Sequence, residues 1–295
     1  MESKNLFDFI GNTPLVKSQN ILKKEGVSLY LKLEGNNPGG SVKDRAAYNM
    51  ISSAIERKAI KKGDYLIEAT SGNTGIALAL IAQIFGINLE LVMPENSTKE
   101  RVQTMQVYGA KVTLTPASVG IEGSREYAEK MMKEKGYIML DQFANPDNWK
   151  AHYKTTGPEI WRDTNGEITH FVSAMGTTGT IMGTSTYLKE KNNNVQIIGA
   201  QPTDNSKIPG IRKWSPAFLP KIFDAKKVDQ VIEVSEQEAR EMTKRLAKEE
   251  GIFAGMSSGG AVTAALKLSE TIKSGVIVAI ICDRGDRYLS SDLFD

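Results

Sequence analysis

Cysteine, histidine and long apolar runs are scarce in this 295-residue sequence, and each shortage excludes a class of protein. Cys282 is the only cysteine, so no intramolecular disulfide can form. His152 and His170 are the only histidines, and with one thiol they cannot supply a typical zinc site; no metal is expected. The most apolar window, Ile76 to Met93, is broken by Gln83, Gly86, Asn88 and Glu90, which excludes a membrane span. Met1-Glu2-Ser3-Lys4-Asn5 lacks the charged and apolar regions of a signal peptide. A formal charge of +2 without a long basic run argues against a nucleic-acid partner. What remains is a cytoplasmic globular protein, long enough for two domains or one large one.

Strands and helices alternate along the chain. Ser28 to Leu33 reads as a strand, Ala46 to Lys58 as a helix, and Tyr65 to Ala69 as a short apolar strand. Ile76 to Phe85 is then helical and Leu89 to Met93 extended, which makes a βαβ unit. Ser97-Thr98-Lys99-Glu100 has capping-box spacing and opens another helix. Lys111 to Leu114 and Tyr137 to Leu140 are expected strands flanking a helix from Glu122 to Glu134. Asp141 to Asn148 reads as a polar connection near a domain crossing. A second βαβ unit follows, with strands Thr169 to Ala174 and Val195 to Ala200 around a helix from Ile181 to Lys189. Asp204 to Pro220 is an ordered loop and Glu236 to Glu249 an amphipathic helix. A helix from Ala261 to Ser269 and a strand from Gly275 to Ile281 complete the pattern. The fold class is α/β, with a mostly parallel sheet covered by helices on both faces.

Gly39-Gly40-Ser41-Val42-Lys43-Asp44-Arg45 places a lysine in the first turn of a helix. Free N–H groups and the helix dipole there disfavour an ammonium, which should lower the pKa of Lys43 and make it a Schiff-base nucleophile. A lone lysine is more commonly a solvated surface charge, so the surroundings must decide. Gly35 to Gly40 has the spacing of a phosphate loop, but Ser41 stands where its lysine belongs, so a nucleoside triphosphate is not expected. Three further stretches are rich in Gly, Ser and Thr: Thr70 to Gly75, Gly176 to Thr180 and Gly255 to Gly260. Each alone reads as a tight turn with a helix cap. At the carboxyl ends of parallel strands they would converge on one anionic ligand. With a nearby lysine, that ligand carries an aldehyde and a phosphate, and pyridoxal phosphate fits.

From Gly11-Asn12-Thr13-Pro14 to Cys282-Asp283-Arg284-Gly285-Asp286-Arg287-Tyr288-Leu289-Ser290 the chain resembles the cysteine synthase family of fold type II pyridoxal phosphate enzymes, and within it the B-type. The resemblance implies a tryptophan synthase β-like fold of two open parallel-sheet α/β/α domains with the cofactor between them. Residues 35–147 would form one domain, and 1–34 with 148–295 the other. It implies that Lys43 forms the Schiff base, that Asn73 meets the cofactor's phenolic oxygen, and that Gly176, Thr177, Thr178, Gly179 and Thr180 hold its phosphate. Ser257 would face the pyridine nitrogen, and Thr70, Ser71, Thr74 and Gln142 the substrate carboxylate. Arg212-Lys213-Trp214 and Cys282-Asp283 fall where B-type members carry polar groups that admit thiosulfate. Lys213 stands where relatives have a second arginine and lacks its planar fork. The implied activity is replacement of the O-acetyl or O-phospho group of an activated L-serine by sulfide or thiosulfate, in a homodimer. The alternatives are a serine or threonine dehydratase and a non-catalytic sensor or scaffold. Binding of serine acetyltransferase is left open.

Overall fold

A computed structural model describes residues 4–295; the reading of Met1-Glu2-Ser3 lies outside the described residues. The strands are β1 (Leu15–Lys17), β2 (Val27–Leu33), β3 (Tyr65–Ala69), β4 (Asn88–Pro94) and β5 (Lys111–Thr115). They continue with β6 (His170–Ala174), β7 (Gln196–Pro202), β8 (Gln230–Val234) and β9 (Gly275–Ile281). Helices α1 (Lys43–Glu56), α2 (Asn73–Phe85), α3 (Lys99–Val107) and α4 (Gly120–Lys135) belong to the first half. Next come α5 (Pro146–Lys154), α6 (Thr156–Asp163), α7 (Gly179–Lys191), α8 (Glu236–Glu250) and α9 (Met256–Thr271). Among the described residues no helix is long and apolar enough to cross a membrane.

Two sheets organise these elements. The larger has the order β1-β2-β9-β6-β7-β8, parallel except for β1, which runs antiparallel to β2. The smaller is the parallel set β3-β4-β5. Parallel strands covered on both faces must be apolar throughout, and β9 meets that demand with Ile277 to Ile281 fully buried. Leu31, Val172, Ile198 and Ala279 join it in the core of the larger sheet. Ile76 to Ala82 of α2 pack with Leu66, Leu89 and Leu91 under the smaller sheet. The order brings the carboxyl ends of β2, β9 and β6 side by side, where an open α/β sheet binds its ligands.

Several expectations shift. Tyr137 to Leu140 is not a full strand. Only Ile138 bridges Leu66, although Ile67 and Ile138 donate backbone hydrogen bonds to Ile138 and Tyr65. Asp141 to Asn148 is not all connection, because Asn145 caps the N–H of Asp147 and Pro146 starts α5. β8 is not among the expected strands, because its exposed Gln230, Val231 and Glu233 dilute its apolar signal. Ser97 to Glu100 does precede a helix, but Thr98 caps α3 without a side-chain bond, so no capping box forms. The stretch Gly255 to Gly260 is not a turn beyond Gly255, since Met256 to Gly260 form the first turn of α9.

Candidate active site

Lys43 is the first residue of α1, reached from β2 through the 34–42 loop. Val42 donates its N–H to the Cys282 carbonyl at 2.8 Å, and Ser41 bridges Asp283, so the start of α1 is pinned to the end of β9. The Lys43 pKa is lowered, with burial as its largest cause; Asp283 and Glu34 act in the opposite sense. The expected direction is right, but desolvation drives it rather than the dipole alone. Cys282 is pushed up to about 11, chiefly by burial, so it stands as a neutral thiol.

A cavity of about 280 Å³ opens around Lys43. Thr70, Ser71, Asn73 and Thr74 line it from the end of β3 and the start of α2, and Gln142 from the segment before α5. Gly176, Thr177, Thr178 and Thr180 line it from the β6–α7 turn, Ser257 from α9, Arg212 from the loop between β7 and β8, and Cys282 from the end of β9. Gly179 alone of the expected residues does not line the cavity. It starts α7 beneath it, where an added Cβ would strike Asn148.

The β6–α7 turn is built for an anion. Thr178 caps α7 at φ 71°, and its Oγ1 is buried without a hydrogen-bond partner. The first turn of α7 adds backbone N–H groups that no helical carbonyl can satisfy. A phosphate ester would satisfy both, so these residues fit pyridoxal phosphate. On the opposite side, Thr74 Oγ1 donates to Gln142 Oε1 at 2.7 Å, which leaves the Gln142 NH2 available to an incoming carboxylate.

Other residues of the site carry no local signal. Asn148 Nδ2 donates to the Gln142 carbonyl at 2.6 Å and to Thr177 Oγ1 at 3.2 Å, tying the segment before α5 to the β6–α7 turn. His152 Nδ1 lies 2.9 Å from Thr156 Oγ1, and its Nε2 lies 3.3 Å from Thr180 Oγ1. Burial lowers the His152 pKa to about 3, so it acts as a neutral strut beneath the loop. Arg125 on α4 also lines the cavity, with its guanidinium 5.8 Å from the Phe143 ring centroid; Arg212 lies 5.7 Å from that of Trp214. Phe143 and Trp214 meet edge to face, and Trp214 Nε1 donates to the Gly176 carbonyl at 2.8 Å. Lys213 does not join them. It pairs with Asp204 and Glu233, each at 2.7 Å, and its charge is spent on that surface.

A lysine of lowered pKa between an anion-binding turn and a hydroxyl-rich loop, at the ends of parallel strands, defines an enzyme that binds a phosphorylated aldehyde. A model of the family described as pyridoxal-phosphate dependent enzyme matches residues 6–283, and the chain belongs to that family, in its B-type cysteine synthase branch. Its cofactor is pyridoxal phosphate. The chain is 58% identical to cysteine synthase B of Pseudomonas aeruginosa, covering 98% of this chain and 96% of that one. It is 54% identical to cysteine synthase B of Escherichia coli, with 97% and 94% covered. The crystal structure of a cysteine synthase from Entamoeba histolytica superposes with a TM-score of 0.94 at 38% identity, over 100% of this chain and 91% of that one.

Proposed function

We propose that this protein is a cysteine synthase that replaces the O-acetyl or O-phospho group of an activated L-serine with sulfide, and accepts thiosulfate to give S-sulfocysteine. The observation that carries the reading is Lys43, held at the base of the cleft between the 70–74 loop and the β6–α7 turn. Bound there, pyridoxal phosphate supplies an electron sink in conjugation with the substrate's α carbon. The hydroxyls of Thr70, Ser71 and Thr74, with the Gln142 NH2, grip the substrate carboxylate and so aim its Cα–H bond at Lys43. Lys43 Nζ, favoured in its neutral form by burial, takes the Cα proton and later returns it. Gly176 to Thr180 anchor the phosphate, and Asn73 faces the phenolic oxygen. Ser257, a hydroxyl rather than a carboxylate, leaves the pyridine nitrogen unprotonated and favours prompt loss of the β substituent over transamination.

Arg212 and Arg125 stand at the mouth as charges for an anionic sulfur donor or a phosphate leaving group. Residues 35–147 act as one domain, and 1–34 with 148–295 as the other, in a homodimer. The test is a set of steady-state rates with O-acetylserine and O-phosphoserine, each paired with sulfide and with thiosulfate. Formation of cysteine and S-sulfocysteine is expected. Release of pyruvate in their place would identify a dehydratase, and cofactor loading without turnover would identify a sensor.

A further inference from the structure

Asn73 is gripped from both sides by groups of fixed sense. Arg287 Nη1 donates to Asn73 Oδ1 at 2.6 Å, and Asn73 Nδ2 donates to Asp283 Oδ2 at 2.7 Å. Arg287 has no acceptor, and both Asp283 oxygens are engaged as acceptors, so the amide has one allowed orientation. Flipped, its NH2 would meet the guanidinium and its carbonyl the carboxylate. Both clamps are themselves anchored. Asp283 is buried, accepts from the Tyr288 hydroxyl at 2.6 Å and from the Gly255 N–H at 3.2 Å, and Arg287 Nη2 bonds the Gly39 carbonyl. Arg287 therefore joins the start of α2 to the loop that delivers Lys43. Asn73 lines the cleft, and the second N–H of its Nδ2 is the one donor the clamp leaves uncommitted.

We propose that Arg287 and Asp283 are positioning residues that lock the Asn73 amide with its N–H toward the cleft, so that the site always offers a donor, never a carbonyl, to the cofactor's phenolic oxygen. The inference rests on the reading that Asn73 faces that oxygen. A donor there favours the ionised oxygen; a carbonyl turned inward would repel it and hold the proton on it. Arg287 thus tunes the cofactor's protonation without touching it, through one amide.

The test compares holoenzymes of Arg287→Met, Arg287→Lys and Asn73→Asp with the wild type by visible absorption across pH, alongside thermal melting. In the wild type the long-wavelength band, near ~410 nm, persists across neutral pH. In Arg287→Met, where Oδ1 loses its donor and the amide is held only through Asp283, the ratio of that band to the shorter-wavelength form of the protonated oxygen falls by about tenfold at neutral pH. Arg287→Lys, which keeps a donor for Oδ1, restores much of the band. Asn73→Asp keeps the partner of Arg287 but loses the donor, and shows the same spectral change. A wild-type band and pH profile in Arg287→Met, with only a lower melting temperature, would overturn the proposal. If that variant does not fold, a wild-type profile in Asn73→Asp overturns it equally. No sulfur donor and no turnover enter these measurements, so an enzyme that makes no cysteine would still report on the clamp.

Discussion

Lys43 illustrates how a side chain's chemistry is set by what surrounds it. Desolvation penalises its ammonium, and the anchoring of Val42 to Cys282 keeps the amine aimed into the cleft. Lys43→Ala should abolish the ~410 nm band and lower kcat/KM by about 10²–10⁴, the range for a lost general base. A surviving band would show that another amine holds the cofactor. His152 gives a pH prediction. Its native pKa of about 3 lies below the ordinary value of 6.5, so between these the unfolded chain binds a proton that the folded one refuses. Stability should therefore decline as pH falls below about 6.5, and continue to decline toward about 3. His152→Gln, which keeps a hydrogen-bonding side chain between Thr156 and Thr180, should flatten that part of the profile in melts run from pH 7 to 4.

Among the elements, α9 shows why a glycine run need not be a turn. An added Cβ at Gly259 would collide with the Ala239 carbonyl and Thr243 of α8, and one at Gly260 would lie 2.6 Å from Ile211. The small residues let α8 and α9 approach closely, and they set Ser257 at the cavity wall. The sequence motif therefore reports close packing rather than backbone freedom. Gly259→Ala should cost about 1–3 kcal/mol by overpacking, measured by urea unfolding, and should distort the Ser257 wall. A neutral result would mean that the two helices separate at no cost. The same logic explains β8 and the Tyr137 to Leu140 segment. Edge strands and single bridges depend on which neighbour arrives, and local alternation carries no record of that.

For the whole molecule, the most consequential feature is a buried charge network directly behind α1. Arg45 donates to Glu34 at 2.7 Å and to Glu159 at 2.6 Å, while Lys32 pairs with Glu159 at 2.8 Å. Thr13 joins through the Glu34 carboxylate at 2.6 Å. The network ties the N-terminal segment, β2, α1 and α6 together two residues from Lys43. Burial acts to raise the Glu159 carboxyl, but the bonds and charges of Arg45 and Lys32 outweigh it and lower it to about 2. Arg45→Met would strand the buried Glu34 carboxylate and leave Glu159 with Lys32 alone, and should cost about 3–5 kcal/mol, seen in chemical unfolding. Replacing Arg45, Glu34, Glu159 and Lys32 together with apolar residues of similar volume should cost much less. Equal losses in both variants would show that the network matters for packing rather than charge.

Local sequence was enough for the alternation of strands and helices, for the single cysteine that leaves no intramolecular disulfide, and for the Gly-, Ser- and Thr-rich stretches that close around Lys43. These are local properties: periodicity, turn residues and hydroxyls at helix starts are written within a few positions of one another. Only the folded chain shows that Asn148 and His152 support the β6–α7 turn and that Lys213 is spent on Asp204 and Glu233. It alone brought Arg287 to Asn73, across 214 positions of chain. A hydrogen bond needs two partners within about 3 Å, and for residues so far apart that proximity is created by the order of strands in the sheets.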